Sequence, residues 1–273
     1  MPRPPSPQDP DALRAFGDSV SFGRTAGDYA THRAGFPQAF FDLITARFYA
    51  SAPARALDIG TGTGTLARGL ARLGLQTTAL DPSDDLMAQA ARLDAETGVT
   101  TTYIKGTAES LPFDDAAFDL VTAGQCWHWF DRPRAAAEAA RVLRPGGRCL
   151  IAHFDWLPLP GNVVAATEAL ILAHNPAWAG ADGTGLYPAW LSDLAIAGFT
   201  KIETVSFDIA QPYSHAAWRG RIRASAGIAA SLPKGAVAEF DSALAGLLAR
   251  EFPEEPLQVP HRVWLVTGLK MPA

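Results

Sequence analysis

Three glycines at alternate positions, Gly60, Gly62 and Gly64, directly follow a short apolar run. Glycine adopts backbone conformations that other residues avoid, so it lets the chain turn tightly and lets a ligand approach the backbone closely. The helix that we predict from Thr65 onward offers free N–H groups to an anionic part of such a ligand. Asp81 ends the next apolar run, and a carboxylate at that place accepts hydrogen bonds from both hydroxyls of a ribose. The pattern therefore predicts a site for a nucleoside or a nucleotide.

Two classes of ribose-bearing ligand fit this turn. Gly62, Gly64 and Ala67 satisfy the weaker form of the dinucleotide fingerprint, so a nicotinamide-dependent oxidoreductase is one alternative. The sequence holds no Tyr-x-x-x-Lys pair for that chemistry. Asp58, two residues before the first glycine, suits a cationic group such as an α-ammonium better than a pyrophosphate. S-adenosylmethionine carries an α-ammonium, a ribose and an adenine, and we expect it to be the cofactor.

Two histidines stand where a catalytic base is expected. His128 follows a predicted strand at residues 119–123, and His153 closes another at residues 148–153. Because the active crevice of an open α/β sheet lies outside the carboxyl ends of its strands, either ring is a candidate general base. The alternative is that these rings only shape the pocket or pack. His32, further upstream, is a candidate to close over the substrate.

Aromatic and basic residues indicate how a substrate would be recognised. An aromatic, largely apolar substrate pocket is one interpretation of four tryptophans, and ordinary packing is the other. These are Trp127, Trp129, Trp156 and Trp178. Arg219, Arg221 and Arg223 alternate near Trp218, which indicates either a solvated helix face or recognition of an acidic substrate group.

Apolar runs alternate with amphipathic helical segments along most of the chain. We predict strands at residues 55–59, 76–80, 101–104, 119–123, 148–153, 201–207 and 262–269, and helices that include residues 65–73, 134–144, 163–173 and 191–197. Ser83 is the predicted N-cap of a further helix, with Asp84 and Asp85 in its first turn. The alternation predicts an α/β fold with a doubly wound, Rossmann-like sheet of seven strands and helical lid insertions. No room for a helix is left after the last strand, so we expect it to be antiparallel.

The predicted domain organisation is simple. Residues 1–12 are rich in proline and are expected to form an unstructured tail. Residues 13–273 are expected to form one domain. Its predicted parts are a helical cap at about 13–50, a cofactor-binding core at about 51–154, a substrate or lid segment at about 155–200, and C-terminal strands and helices at about 201–271.

From Ala56 to about Ile151 the chain resembles the class I S-adenosylmethionine-dependent methyltransferases, and most of all the small-molecule group that includes ubiquinone and trans-aconitate methyltransferases. Four sequence blocks carry the resemblance in the family's order. They are LDIGTGTG at 57–64, LDPSDDLM at 80–87, GTAESLPF at 106–113 and RVLRPGG at 141–147. Thr107 stands where the family usually has an aspartate.

The resemblance implies which residues hold the cofactor. These residues are Asp58, Gly60, Thr61, Gly62, Gly64, Asp81, Pro82, Leu86, Thr107, Ala108, Glu109 and Gln125. Tyr29 and Arg33 match a Tyr-x-x-x-Arg element that covers the methionine end of the cofactor in such families. The implied reaction is an in-line methyl transfer to an oxygen or nitrogen atom of a small molecule, which requires no metal. The alternative is a non-catalytic or regulatory protein that keeps the cofactor-binding fold.

Composition limits the expected partners and compartment. The 273 residues are 48% hydrophobic and 19% charged, which is typical of a globular protein. The net charge of −5 and the lack of a basic tract argue against nucleic acid as a partner. Two cysteines without a CxxC spacing argue against disulfide-stabilised and cysteine-zinc proteins. Because no long apolar run or signal peptide is visible, we expect a cytoplasmic protein with no membrane contact. The oligomeric state and the acceptor's identity stay open.

Overall fold

A seven-stranded sheet organises the computed structural model of this protein, which describes residues 35–48, 54–229 and 231–271. The strand order is β3-β2-β1-β4-β5-β7-β6. The strands are β1 (Arg55–Ile59), β2 (Gln76–Asp81), β3 (Thr102–Lys105), β4 (Phe118–Gly124), β5 (Leu143–Trp156), β6 (Phe199–Tyr213) and β7 (Leu257–Lys270). Strands β1 to β5 pair in parallel, whereas β7 is antiparallel. The predicted α/β fold with a Rossmann-like sheet is confirmed.

Helices connect these strands. They are α1 (Gln38–Leu43), α2 (Thr65–Arg72), α3 (Asp84–Thr97), α4 (Arg132–Val142), α5 (Val163–His174), α6 (Ala189–Ile196), α7 (His215–Arg223) and α8 (Lys234–Glu251). The predicted N-cap of α3 is confirmed, because the Ser83 hydroxyl accepts a hydrogen bond from the Leu86 N–H at 3.3 Å. Asp131 caps α4 in the same way. Such caps satisfy N–H groups that have no partner inside the helix.

The sequence analysis misplaced the ends of several elements. The helix predicted at residues 134–144 ends at Val142, because Leu143 is extended and pairs with Phe118 at the start of β4. The last two strands are also longer than predicted, and β6 continues to Tyr213. Pairing with neighbouring strands decides where a strand ends, and short stretches of sequence do not show that pairing. The proposed tail at residues 1–12 lies outside the described residues.

The described chain divides into two compact units. The core unit comprises residues 35–153, 187–206 and 263–271, and the second unit comprises 154–186 and 207–262. The core unit holds the hydrophobic cluster around β1, β4 and α4. In the second unit, α8 packs against α5 and α7. The glycine turn (residues 60–64), Asp81 and both candidate histidines belong to the core unit.

Candidate active site

The three glycines of the turn have different surroundings, although all have positive φ angles. A Cβ atom at Gly60 would lie 2.8 Å from Phe130 Cζ, and one at Gly64 would lie 2.7 Å from Tyr103 Oη. A Cβ atom at Gly62 would meet nothing within 4 Å. Packing therefore requires glycine at positions 60 and 64. Only Gly62 presents open space, so it is the glycine that a ligand can approach closely.

Hydrogen bonds hold this turn in place and bring Asp81 to its open side. The Gly62 N–H donates to Asp81 Oδ2 at 2.8 Å, and the Ser83 N–H donates to Asp81 Oδ1 at 2.9 Å. The Thr61 N–H donates to the Leu80 carbonyl at 3.0 Å. Burial raises the pKa of Asp81, and the two N–H donors partly offset this effect. Each carboxylate oxygen can accept more than one hydrogen bond, so Asp81 retains the capacity to bind a ribose.

Asp58 has partners inside the protein. Asp58 is only 1% exposed. Its Oδ1 atom accepts a hydrogen bond from the Thr122 hydroxyl at 2.7 Å, and this bond joins β1 to β4. Burial raises the pKa of Asp58 to about 6, while hydrogen bonds, including one from the Ala67 N–H, lower it. These hydrogen bonds link the strand to β4 and to the start of α2. The pairing of this carboxylate with a ligand ammonium stays a prediction.

The third sequence block, residues 106–113, begins beside Asp81. Strand β2 pairs with β3, and the Gly106 N–H donates to the Asp81 carbonyl. Ala108 is buried and Thr107 is exposed. The Glu109 carboxylate accepts a hydrogen bond from the Asp131 N–H at 2.9 Å and so supports the start of α4. In the second block, Pro82 is exposed and Leu86 is half-buried. The predicted residues of these blocks therefore follow the glycine turn around the carboxyl ends of adjacent strands.

The two candidate histidines lie close together. His128 follows β4 as predicted, whereas His153 lies within β5, because this strand continues to Trp156 and does not end at residue 153. The ring centroids of His128 and His153 are 5.2 Å apart. His128 is half-buried and its ring lies 4.3 Å from that of Trp129, whereas His153 is buried. Gln125 directly follows β4 and has a φ of +61°. Its N–H donates to the Ala152 carbonyl. Strained backbone of this kind concentrates at functional sites.

Trp190 and Tyr187, the second of which the sequence did not single out, pack against His153. The ring of Tyr187 lies 4.3 Å from His153 and stacks on Trp190 at 4.1 Å. Trp190 lies 4.8 Å from His153. Trp190 lies in the first turn of α6 and Tyr187 lies two residues before that helix, so their closeness in the sequence was the available signal. Their contact with residue 153 depends on the fold.

Three of the four tryptophans have packing roles. Trp127 is completely buried, and its indole N–H donates to Asp193 at 2.9 Å. In the second unit, Trp178 is buried against Gly180 and Gly227. Trp156 donates to Glu168 at 2.7 Å and lies under the Arg221 guanidinium. These contacts favour the packing alternative for the three residues, whereas Trp129 is half-buried beside His128.

The alternating arginines form a helix face with partners of its own. Arg219 and Arg223 on α7 both pair with Asp241 on α8. Of the two interpretations of this run, the helix face is correct for these two residues.

Tyr29, His32 and Arg33 lie outside the described residues. In the described part of the chain, no three His, Cys, Asp or Glu side chains form a possible metal site, and no helix is long and apolar enough to cross a membrane.

Comparison with known proteins identifies the segment that carries this site. Residues 57–151 match the family model described as a methyltransferase domain. This segment is therefore similar to that methyltransferase domain. An uncharacterised methyltransferase of Mycobacterium bovis is 41% identical over 130 residues, which are 48% of this chain and 50% of the relative. The chain thus spans about half the length of this relative.

Two further similarities extend beyond the domain. A ubiquinone biosynthesis O-methyltransferase of Xanthomonas axonopodis is 29% identical over 176 residues, which are 64% of this chain and 72% of that protein. The solved structure of a protein described as a type II methyltransferase from Anaeromyxobacter dehalogenans has a TM-score of 0.61 and 25% identity. It covers 88% of this chain, and this chain covers 99% of it. The predicted resemblance to methyltransferases is confirmed.

Proposed function

We propose that this protein transfers a methyl group from S-adenosylmethionine to an oxygen or nitrogen atom of a small molecule. The arrangement of Gly62 and Asp81 carries the proposal. Gly62 is the one glycine of the turn with open space beside it. Its N–H donates a hydrogen bond to Asp81, the carboxylate that suits a ribose. The residues present therefore fit a nucleoside-bearing cofactor. The relatives' names and the four sequence blocks favour S-adenosylmethionine among such ligands.

When bound, the cofactor supplies an electrophilic methyl group on a sulfonium. In this proposal Asp81 binds the ribose hydroxyls, the glycine turn lies against the cofactor, and residues 106–109 line the adenine side. The chain's main task is alignment, which supplies roughly 7–11 kcal/mol of a barrier when the geometry is well oriented. His128 or His153 removes a proton from the acceptor where the nucleophile carries one. A small-molecule acceptor and a cytoplasmic location complete the proposal.

The first test is calorimetric titration with S-adenosylmethionine, S-adenosylhomocysteine and NADH. We expect micromolar binding of the two adenosyl compounds and no binding of NADH. Binding of NADH alone would favour the oxidoreductase alternative. Binding of the adenosyl pair, followed by no turnover with any acceptor in a broad small-molecule screen, would favour the non-catalytic alternative.

Asp81→Asn tests the ribose assignment within the same assay. The amide keeps the shape of the side chain but replaces one acceptor oxygen by a donor, next to the N–H groups of Gly62 and Ser83. We expect the affinity for S-adenosylhomocysteine to fall by roughly 1.5–3 kcal/mol, the value of a hydrogen bond to a charged group. Asp85→Asn is the matched control, because it makes the same charge change on an exposed residue of α3. Equal affinity in both variants would refute the role of Asp81.

A further inference from the structure

A buried network of charged and polar side chains lies behind the glycine turn. The Nε atom of Arg68, on α2, is 2.7 Å from Asp94 Oδ1 on α3. Tyr103, on β3, donates its hydroxyl to Asp94 Oδ2 at 2.8 Å. Arg68 is 9% exposed and Asp94 is 4% exposed. We call Arg68, Asp94 and Tyr103 the Arg68 network.

This network contacts the turn at two points. Arg68 Nη2 donates to the carbonyl of Thr63 at 3.0 Å and to the carbonyl of Ala90 at 3.1 Å. A Cβ atom at Gly64 would lie 2.7 Å from Tyr103 Oη and 3.2 Å from Arg68 Nη2. Glycine at position 64 therefore allows the network to reach the turn. The network joins the turn to α3 and β3; its ion pair is shielded from water, whereas Tyr103 is half-buried.

The other hydrogen-bonding groups of the turn are held from different directions. The Gly62 N–H is bound by Asp81, and the Gly64 N–H donates to the Thr61 carbonyl at 2.9 Å. The Thr63 carbonyl is held by Arg68, one residue beyond Gly62. A shift of the Thr63 peptide would move Gly62 and, through its N–H, the carboxylate of Asp81. The Arg68 network therefore bears on both parts of the proposed cofactor site.

We infer that the Arg68 network is a positioning device for the cofactor, which fixes the Thr63 peptide so that Gly62 and Asp81 keep their binding geometry. This inference rests on the proposed function. Burying an ion pair adds little stability compared with apolar residues of similar size, so stability alone does not account for this arrangement. Arginine suits the task because its planar fork holds the carboxylate and the two carbonyls at the same time, which a lysine ammonium does less well.

Two variants test the inference. Arg68→Lys keeps the charge next to Asp94 but loses the fork. Tyr103→Phe keeps the ring and the ion pair and removes one hydrogen bond. We expect the Kd for S-adenosylhomocysteine to rise about tenfold in Arg68→Lys, which corresponds to ~1.4 kcal/mol. We expect a smaller rise, about threefold, in Tyr103→Phe, because this variant keeps the ion pair and both hydrogen bonds from Arg68 to the carbonyls.

The control separates positioning from a loss of overall stability. Val142→Ala removes two methyl groups from a completely buried residue of α4, a helix that is separate in sequence from the turn and from the Arg68 network. We expect it to lower the Tm while leaving the Kd within twofold of the wild-type value. Amide hydrogen exchange of Gly62 supplies a second readout, and we expect faster exchange in Arg68→Lys than in Val142→Ala.

The outcomes distinguish the inference from the proposed function. If the wild-type protein does not bind S-adenosylhomocysteine, the proposed function fails, and Gly62 exchange alone then decides whether the network holds the turn. If the wild-type protein binds and Arg68→Lys lowers the Tm without changing the Kd or Gly62 exchange, the network is only structural and the inference is overturned. A raised Kd with faster Gly62 exchange supports it.

Discussion

Alanine at Gly62 and alanine at Gly60 are expected to have opposite profiles of stability and binding. Gly62 has a φ of +55° and open space around its missing side chain. Gly62→Ala therefore costs only the left-handed backbone conformation, about 1 kcal/mol of unfolding free energy. Gly60→Ala pays the same conformational cost and also places a methyl group 2.8 Å from Phe130 and 2.9 Å from Cys126. Overpacking of this kind typically adds about 1–3 kcal/mol.

Cofactor binding should show the reverse order, with Gly62→Ala causing the larger loss of affinity. In Gly62→Ala the new methyl group enters the space that we assign to the cofactor, so we expect affinity for S-adenosylhomocysteine to fall by about 1–3 kcal/mol, the usual cost of overpacking. Urea unfolding measures the loss of stability, and calorimetry measures the loss of affinity for S-adenosylhomocysteine. The reasoning is refuted if Gly62→Ala binds as well as the wild-type protein, or if it loses as much stability as Gly60→Ala.

Two more predictions concern pH and catalysis. Burial raises the pKa of Glu168 from 4.5 to about 7, so the folded protein should lose stability as the pH rises from 4.5 through 7, by up to ~3 kcal/mol at 1.36 kcal/mol per pKa unit. Glu168→Gln should remove this loss, which makes the variant more stable relative to wild type at pH 8 than at pH 5 in urea unfolding; a difference that does not change with pH would contradict this. Once an acceptor is known, His128→Ala should lower the rate of methyl transfer by about 10²–10⁴-fold if His128 is the base, and a fall of less than about tenfold would exclude that role.

The sequence was sufficient to predict the strand, turn and helix at 55–72 and the helix cap at Ser83. These features depend on residues that are neighbours in the chain, because positive φ angles and N-caps are local requirements. The sequence also predicted that Asp81 stands at the end of β2. The fold class followed from the order of such local elements, and the resemblance to methyltransferases followed from four blocks within one continuous segment.

Tertiary structure decided what each of these residues does. Close packing separates Gly60 and Gly64 from Gly62, and the nearest side chains, Phe130 and Tyr103, come from other parts of the chain. The internal partners of Asp58 and the contact of Tyr187 with His153 also join residues that are distant in sequence. A side chain's surroundings depend on which strands and helices the fold brings together. Residue types and spacing therefore located the site, while long-range contacts determined its geometry.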